Sequence, residues 1–145
     1  MRRVWVLSSA RSCLLARAAL ETGLVPSCEA DVLVRVDRAP APEIAVPWWT
    51  SPEGRELTAP FERVFDLGPV VAPFHTAGWD ASDVDAALLA PALREKLGAG
   101  ESPVHLVVES PTLPPWSSFV RVLAPAGMTV LGAELDDWGA TPEAL

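Results

Sequence analysis

Apolar residues along this chain collect in three short, nearly unbroken runs, at residues 4–7, 32–36 and 104–108. Only Arg35 and His105 interrupt them, and the runs are rich in valine. β-Branched runs of this length, without polar alternation, predict strands covered on both faces, and hence a parallel sheet. Weaker strands are predicted at 63–67 and 128–131. The spacing changes between them. Residues 9–22 are rich in Ala and Leu and are followed by Gly23, a helix end. Residues 83–97 put Ala86, Leu89, Ala90, Leu93 and Leu97 on one helical face, with Arg94, Glu95 and Lys96 outside. Pro91 either disturbs the middle of that helix or sits in the first turn of a shorter one beginning near Ala90. A third helix is predicted from Pro115 to Pro125, with Trp116, Phe119, Val120 and Leu123 at i, i+3, i+4 and i+7. Strands alternating with helices give an α/β fold class: a single Rossmann-like three-layer α/β/α domain over residues 1–145 with a mainly parallel sheet.

The segment 38–62 follows neither period. It holds Pro40, Pro42, Pro47, Pro52 and Pro60 around the pair Trp48 and Trp49. It reads as a long loop, and loops of this length in compact domains are functional or disordered. Two adjacent tryptophans argue against disorder, because exposing both to water is costly.

Composition narrows the class. Half of the 145 residues are hydrophobic and 21% are charged, which excludes a disordered chain. Two cysteines exclude a disulfide scaffold and a four-cysteine zinc site. A net charge of −8 argues against a nucleic-acid partner, which needs clustered Lys and Arg. The charge is uneven: residues 1–38 carry six arginines against four acids, and residues 39–145 carry five bases against fifteen acids. An anionic ligand is better received near the N-terminal segment, although solvated acidic helices beside a basic start explain the same numbers. Arg11, Arg17 and Glu21 interrupt what would otherwise imitate a signal peptide, and no run reaches the length of a membrane span. The chain reads as cytoplasmic, with Cys13 and Cys28 as free, inert thiols.

Familiar chemistry is absent. There is no Gly-rich phosphate loop, no G-x-G-x-x-G, no H-E-x-x-H, no C-x-x-C and no G-x-S-x-G. With only His75 and His105, a metal-free and cofactor-free reading is favoured. What remains is positional, since ligands of open α/β sheets sit beyond the carboxyl ends of the strands. Ser8 and Ser9 follow the first strand and open a helix, as an anion site or as a cap. His75 and Trp79 lie in the turn-rich stretch after the 63–67 strand, where His75 binds a ligand or anchors the turn. Glu109 and Ser110 follow the 104–108 strand, where a carboxylate invites a ligand or caps the next turn. Glu134, Asp136 and Asp137 follow the last strand, in a site or in a solvated turn. His105, inside a strand, reads as a packed or hydrogen-bonded core residue.

Two segments are more specific together. Pro73-Phe74-His75-Thr76-Ala77-Gly78-Trp79, followed by Val104-His105-Leu106-Val107-Val108-Glu109-Ser110, resembles the bacterial polysialyltransferase-like glycosyltransferases. Those proteins carry P-F-H-P-x-G-W, a helix, and then H-L-V-V-E-S. The resemblance begins with the first strand and its Ser8-Ser9 turn and spans most of the chain. It implies the N-terminal half of a GT-B fold: two Rossmann-like domains facing across a cleft, transferring sialic acid from a cytidine-monophosphate donor without a metal. The acceptor and the catalytic base belong to the N-terminal domain, and the donor to a second domain expected beyond these residues.

By this resemblance Ser8, Ser9, His75, Trp79, Glu109 and Ser110 are substrate-binding. The family's acid-glycine motif after the last strand is represented by 132–139, where Glu134 lies within one residue of the expected acid and Asp136 and Asp137 become equivalent after a small shift. These three are the candidate bases. The expected partners are a sugar acceptor and, through the second domain, a CMP-sugar donor. The chain alone is expected to be inactive, with apolar surface around Trp79, Trp116 and Trp138 favouring self-association or a partner domain. The alternatives are a non-catalytic binding or interaction module on the same half-fold, using Trp48 and Trp49, and an unrelated flavodoxin-like domain binding a nucleotide or flavin.

Overall fold

The computed structural model describes residues 1–36, 48–71 and 79–131. Five strands, β1 (Arg2–Leu7), β2 (Ala30–Arg35), β3 (Arg63–Asp66), β4 (Val104–Val108) and β5 (Gly127–Val130), form one sheet in the order β3-β2-β1-β4-β5. Every pairing is parallel. The predicted runs at 4–7, 32–36, 104–108 and 128–131 are therefore adjacent strands of a Rossmann-like α/β sheet. The register Val4↔Val32 and Val4↔Leu106 puts one set of valines and leucines on each face.

On one face, Val4, Val6, Val32, Val34, Leu106 and Val108 pack under two helices, α4 (Asp83–Leu97) and α5 (Trp116–Leu123). On the other, Trp5, Leu7, Leu33 and Val107 meet α1 (Ala10–Glu21), whose small residues Cys13, Ala16 and Ala19 let it lie close to the strands. Double cover is what a parallel sheet requires. Ser9 caps α1 by accepting from the Ser12 amide, and Gly23 supplies the positive φ that turns the chain out of it.

Helix α4 resolves the ambiguity at Pro91. It runs unbroken from a capping box, Ser82 with Asp85, to Gly98 in the left-handed conformation. Pro91 sits on its exposed side, where the carbonyl left without a donor can face water. Ala86, Leu93 and Leu97 are buried and Leu89 and Ala90 pack partly against them, so the predicted face is the packed one.

The 38–62 segment needs correction. Residues 37–47 lie outside the described set, but beyond them a 3-10 turn (Trp48–Thr50) leads into α2 (Pro52–Leu57). The proline density that suggested a loop includes a helix start: Ser51 caps by accepting from the Gly54 amide, and Pro52 needs no donor in the first turn. A one-turn helix α3 (Gly68–Val71) was also not expected.

The tryptophans require a second correction. Trp79 and Trp116 are 5% and 1% exposed, so neither offers apolar surface to a partner. The Trp116 indole N–H donates to the Val6 carbonyl at 2.9 Å, and Trp79 meets Phe119 edge-on at 5.4 Å. Ser118 fixes the approach to α4, accepting from the Ala81 amide and donating to the Trp79 carbonyl, both at 2.7 Å. No helix among the described residues is long and apolar enough to cross a membrane.

Candidate functional site: the crevice between the first and fourth strands

Strands β1 and β4 are neighbours, yet the chain leaves β1 towards the α1 face and leaves β4 towards the α5 face. Their carboxyl ends therefore flank the point where the winding of the sheet reverses, the place where ligands of such sheets bind. Ser8 is the first residue after β1 and Glu109 the first after β4, so the topology brings them together across 101 positions of sequence.

They are clasped. The Ser8 backbone N–H donates to Glu109 Oε2 at 2.6 Å, and the Ser8 hydroxyl donates to Oε1 at 2.8 Å. Two bonds to one carboxylate fix its plane and leave lone pairs on both oxygens. The position beside the start of α1 suits a negative charge, because the helix dipole is positive there. Glu109 is half-buried, and it accepts from the Ser8 amide, one residue before the Ser9 cap of α1.

The other expected residues divide. Ser9 is the α1 cap, its hydroxyl engaged with Ser12. Ser110, also half-buried, accepts from the Thr112 and Leu113 amides and shapes the turn after β4. Trp79 belongs to the core and not to the crevice. His75, Glu134, Asp136 and Asp137 lie outside the described residues. His105 is half-buried on the α1 face and hydrogen-bonds Thr129 at 2.8 Å. Its ring lies against Gly127, where a Cβ would come within 2.8 Å of Nδ1, so a glycine at 127 makes room for it.

Two further residues share the carboxyl edge. Arg35, the last residue of β2, donates through Nε to Asp66, the last of β3, at 2.6 Å, and its guanidinium lies 5.0 Å from the Trp49 ring. In the sequence each is a charge inside a predicted strand, followed by one more apolar residue, Val36 and Leu67. The excess arginines of the N-terminal segment are largely consumed in such pairs: Arg2 with Glu29 and Glu62, Arg3 with Asp31, and Arg17 with Glu21.

Neither cysteine is activated. Burial pushes the Cys13 thiol up to about 11, against the opposing pull of Arg35 and Arg17. Burial and then the Asp31 charge raise that of Cys28. Among the described residues, no group of three or more His, Cys, Asp or Glu side chains is placed to hold a metal ion. In comparisons with known proteins the chain matches no family model, no curated protein and no solved structure.

Proposed function

We propose that these residues form the acceptor-side domain of a sialyltransferase-like glycosyltransferase of GT-B type, which receives a sugar hydroxyl at the crevice between β1 and β4. The observation that carries this reading is the Glu109 carboxylate clasped by Ser8. A fixed carboxylate with lone pairs to spare accepts hydrogen bonds from hydroxyls and repels phosphate. That is the behaviour wanted on the acceptor side of a cleft whose donor phosphate is held by a second domain. Glu134, Asp136 or Asp137 supplies the base that removes the acceptor proton. By itself the domain orients the acceptor without positioning a donor against it, and so lacks much of the rate enhancement.

The two other readings draw less support. A nucleotide- or flavin-binding domain needs the start of α1 for a phosphate, and the Glu109 carboxylate that Ser8 holds beside it opposes a second negative charge. An interaction module working through its tryptophan pair needs them presented to a partner, and Trp49 is buried against Arg35.

The test is a titration of the isotope-labelled chain with oligosialic acid and, separately, with cytidine monophosphate, followed by amide chemical shifts. The acceptor is expected to move the Ser8, Glu109 and Ser110 amides, and Glu109→Ala to abolish the effect. Movement of those amides by cytidine monophosphate but not by the sugar would overturn the proposal.

A further inference from the structure

A second concavity lies away from the crevice. On the α1 face, over the first half of β1 and β4 and along β5, a cavity of about 410 Å³ opens beneath residues 25–28. That volume is within the range of small-molecule sites. The register builds its floor: Arg3 pairs with His105, and Trp5 with Val107, which pairs in turn with Thr129. Val25, Cys28 and Leu131 add walls, and the exposed Pro26 and Ser27 form a rim. Ser8, Glu109 and Ser110 are not among its lining residues.

The polar groups of this floor are engaged within the protein. Arg3 is 7% exposed; it donates through Nε and Nη2 to the two oxygens of Asp31, at 2.6 and 3.2 Å, and through Nη1 to the Pro26 carbonyl at 2.7 Å. The Trp5 indole N–H shares the same carboxylate at 2.8 Å. His105 is bonded to Thr129, and the Cys28 thiol donates to the Ala30 carbonyl at 3.2 Å. The raised pKa of Cys28 keeps that wall uncharged near neutrality. A charged ligand would be desolvated there without gaining a counter-charge, since Asp31 already neutralises Arg3. An apolar ligand would cover the accessible parts of Met1, Val25, Pro26 and Cys28, above the buried Trp5, Val107 and Leu131, without breaking a polar bond.

We infer that this cavity is a binding site for an uncharged, largely apolar small molecule. It stands independently of the proposed glycosyl transfer, because none of its residues serves the crevice.

Two dyes with the same ring system test it on the full chain: uncharged N-phenylnaphthylamine, and anilinonaphthalenesulfonate, which adds a negative charge. The neutral dye is expected to bind saturably, and the sulfonate about tenfold or more weakly, a difference of about 1.4 kcal/mol. Ser27→Trp, which narrows the rim from an exposed position, is expected to weaken the neutral dye to a similar extent. Independently of any variant, the bound neutral dye should slow alkylation of Cys28 in the native chain, with buried Cys13 as the unreactive control. Absence of saturable binding, equal affinity for both dyes, or unprotected Cys28 at saturation would each overturn the inference.

Discussion

The crevice at the ends of β1 and β4 and the cavity on the α1 face share two strands, yet they offer opposite chemistry. In the crevice, one carboxylate is held, among the described residues, by Ser8 and keeps unused acceptor capacity. In the cavity, Arg3, Asp31, Trp5 and the Pro26 carbonyl satisfy one another. The difference follows from position. A residue just past a strand end meets few neighbours able to complete its hydrogen bonds, whereas one within the strand is surrounded by them. Ligand chemistry is therefore set by the bonding capacity left over, not by how many charged residues are nearby.

The sharpest way to break the comparison is to unbalance the cavity floor. Asp31→Ala strands the nearly buried Arg3 guanidinium and removes the acceptor of the Trp5 indole. Leaving one partner of a buried pair uncompensated costs about 3–5 kcal/mol. Urea unfolding should show a loss of that size. A loss below about 1 kcal/mol would mean that water already reaches Arg3, as at a surface pair.

The two cysteines contrast a sealed position on the α1 face with one at the cavity wall. For Cys13 the folded thiol titrates near 11 against an ordinary value of 9.0. Between those values the unfolded chain has released a proton that the folded chain keeps, so stability falls as pH rises through the window and is unaffected below it. The loss is on the order of 2 kcal/mol by pH 11. It is read as the difference in unfolding free energy between the native chain and Cys13→Ala, in which this contribution should vanish.

The strands are legible because a doubly covered sheet writes itself as unbroken apolar runs, as at β1, β2 and β4. Their register is less so. Parallel apolar runs imply neighbouring strands whose carboxyl ends open on one edge, which brings Ser8 towards Glu109, but the clasp itself is set by the register of β1 with β4. Glu109 was visible as a carboxylate ending an apolar run. Arg35 and Asp66 are less visible, because each is followed by one more apolar residue, Val36 and Leu67, and so reads as an interruption of a strand rather than its end. Helix α2 was hidden because Pro52 reads alike as a loop residue and as a first-turn residue. Trp79 is ambiguous for the converse reason: beside a turn-rich stretch, an aromatic side chain signals either a ligand surface or the core, and its contact with Phe119 is set by tertiary packing.

The gentlest probe separates the clasp's structural role from its functional one. Ser8→Ala removes the hydroxyl bond to Glu109 Oε1 and leaves the backbone bond to Oε2 intact. A hydrogen bond to a charged group contributes about 1.5–3 kcal/mol in full, and this half-buried one belongs below that range, because water can replace the hydroxyl. Stability should therefore change little. The carboxylate, however, loses one of the two bonds that fix its plane and gains freedom to rotate. If Glu109 recognises sugar hydroxyls through a fixed orientation, acceptor binding should weaken by more than stability falls, on the order of tenfold. Neutral-dye binding in the cavity should stay unchanged, since Ser8 is not among its lining residues. Glu109→Gln gives the companion measurement: it keeps the shape, removes the charge, and should relax the exclusion of phosphate. If Ser8→Ala lowers stability and acceptor affinity by equal amounts, Ser8 acts only as a brace, and the crevice owes its selectivity to Glu109 alone.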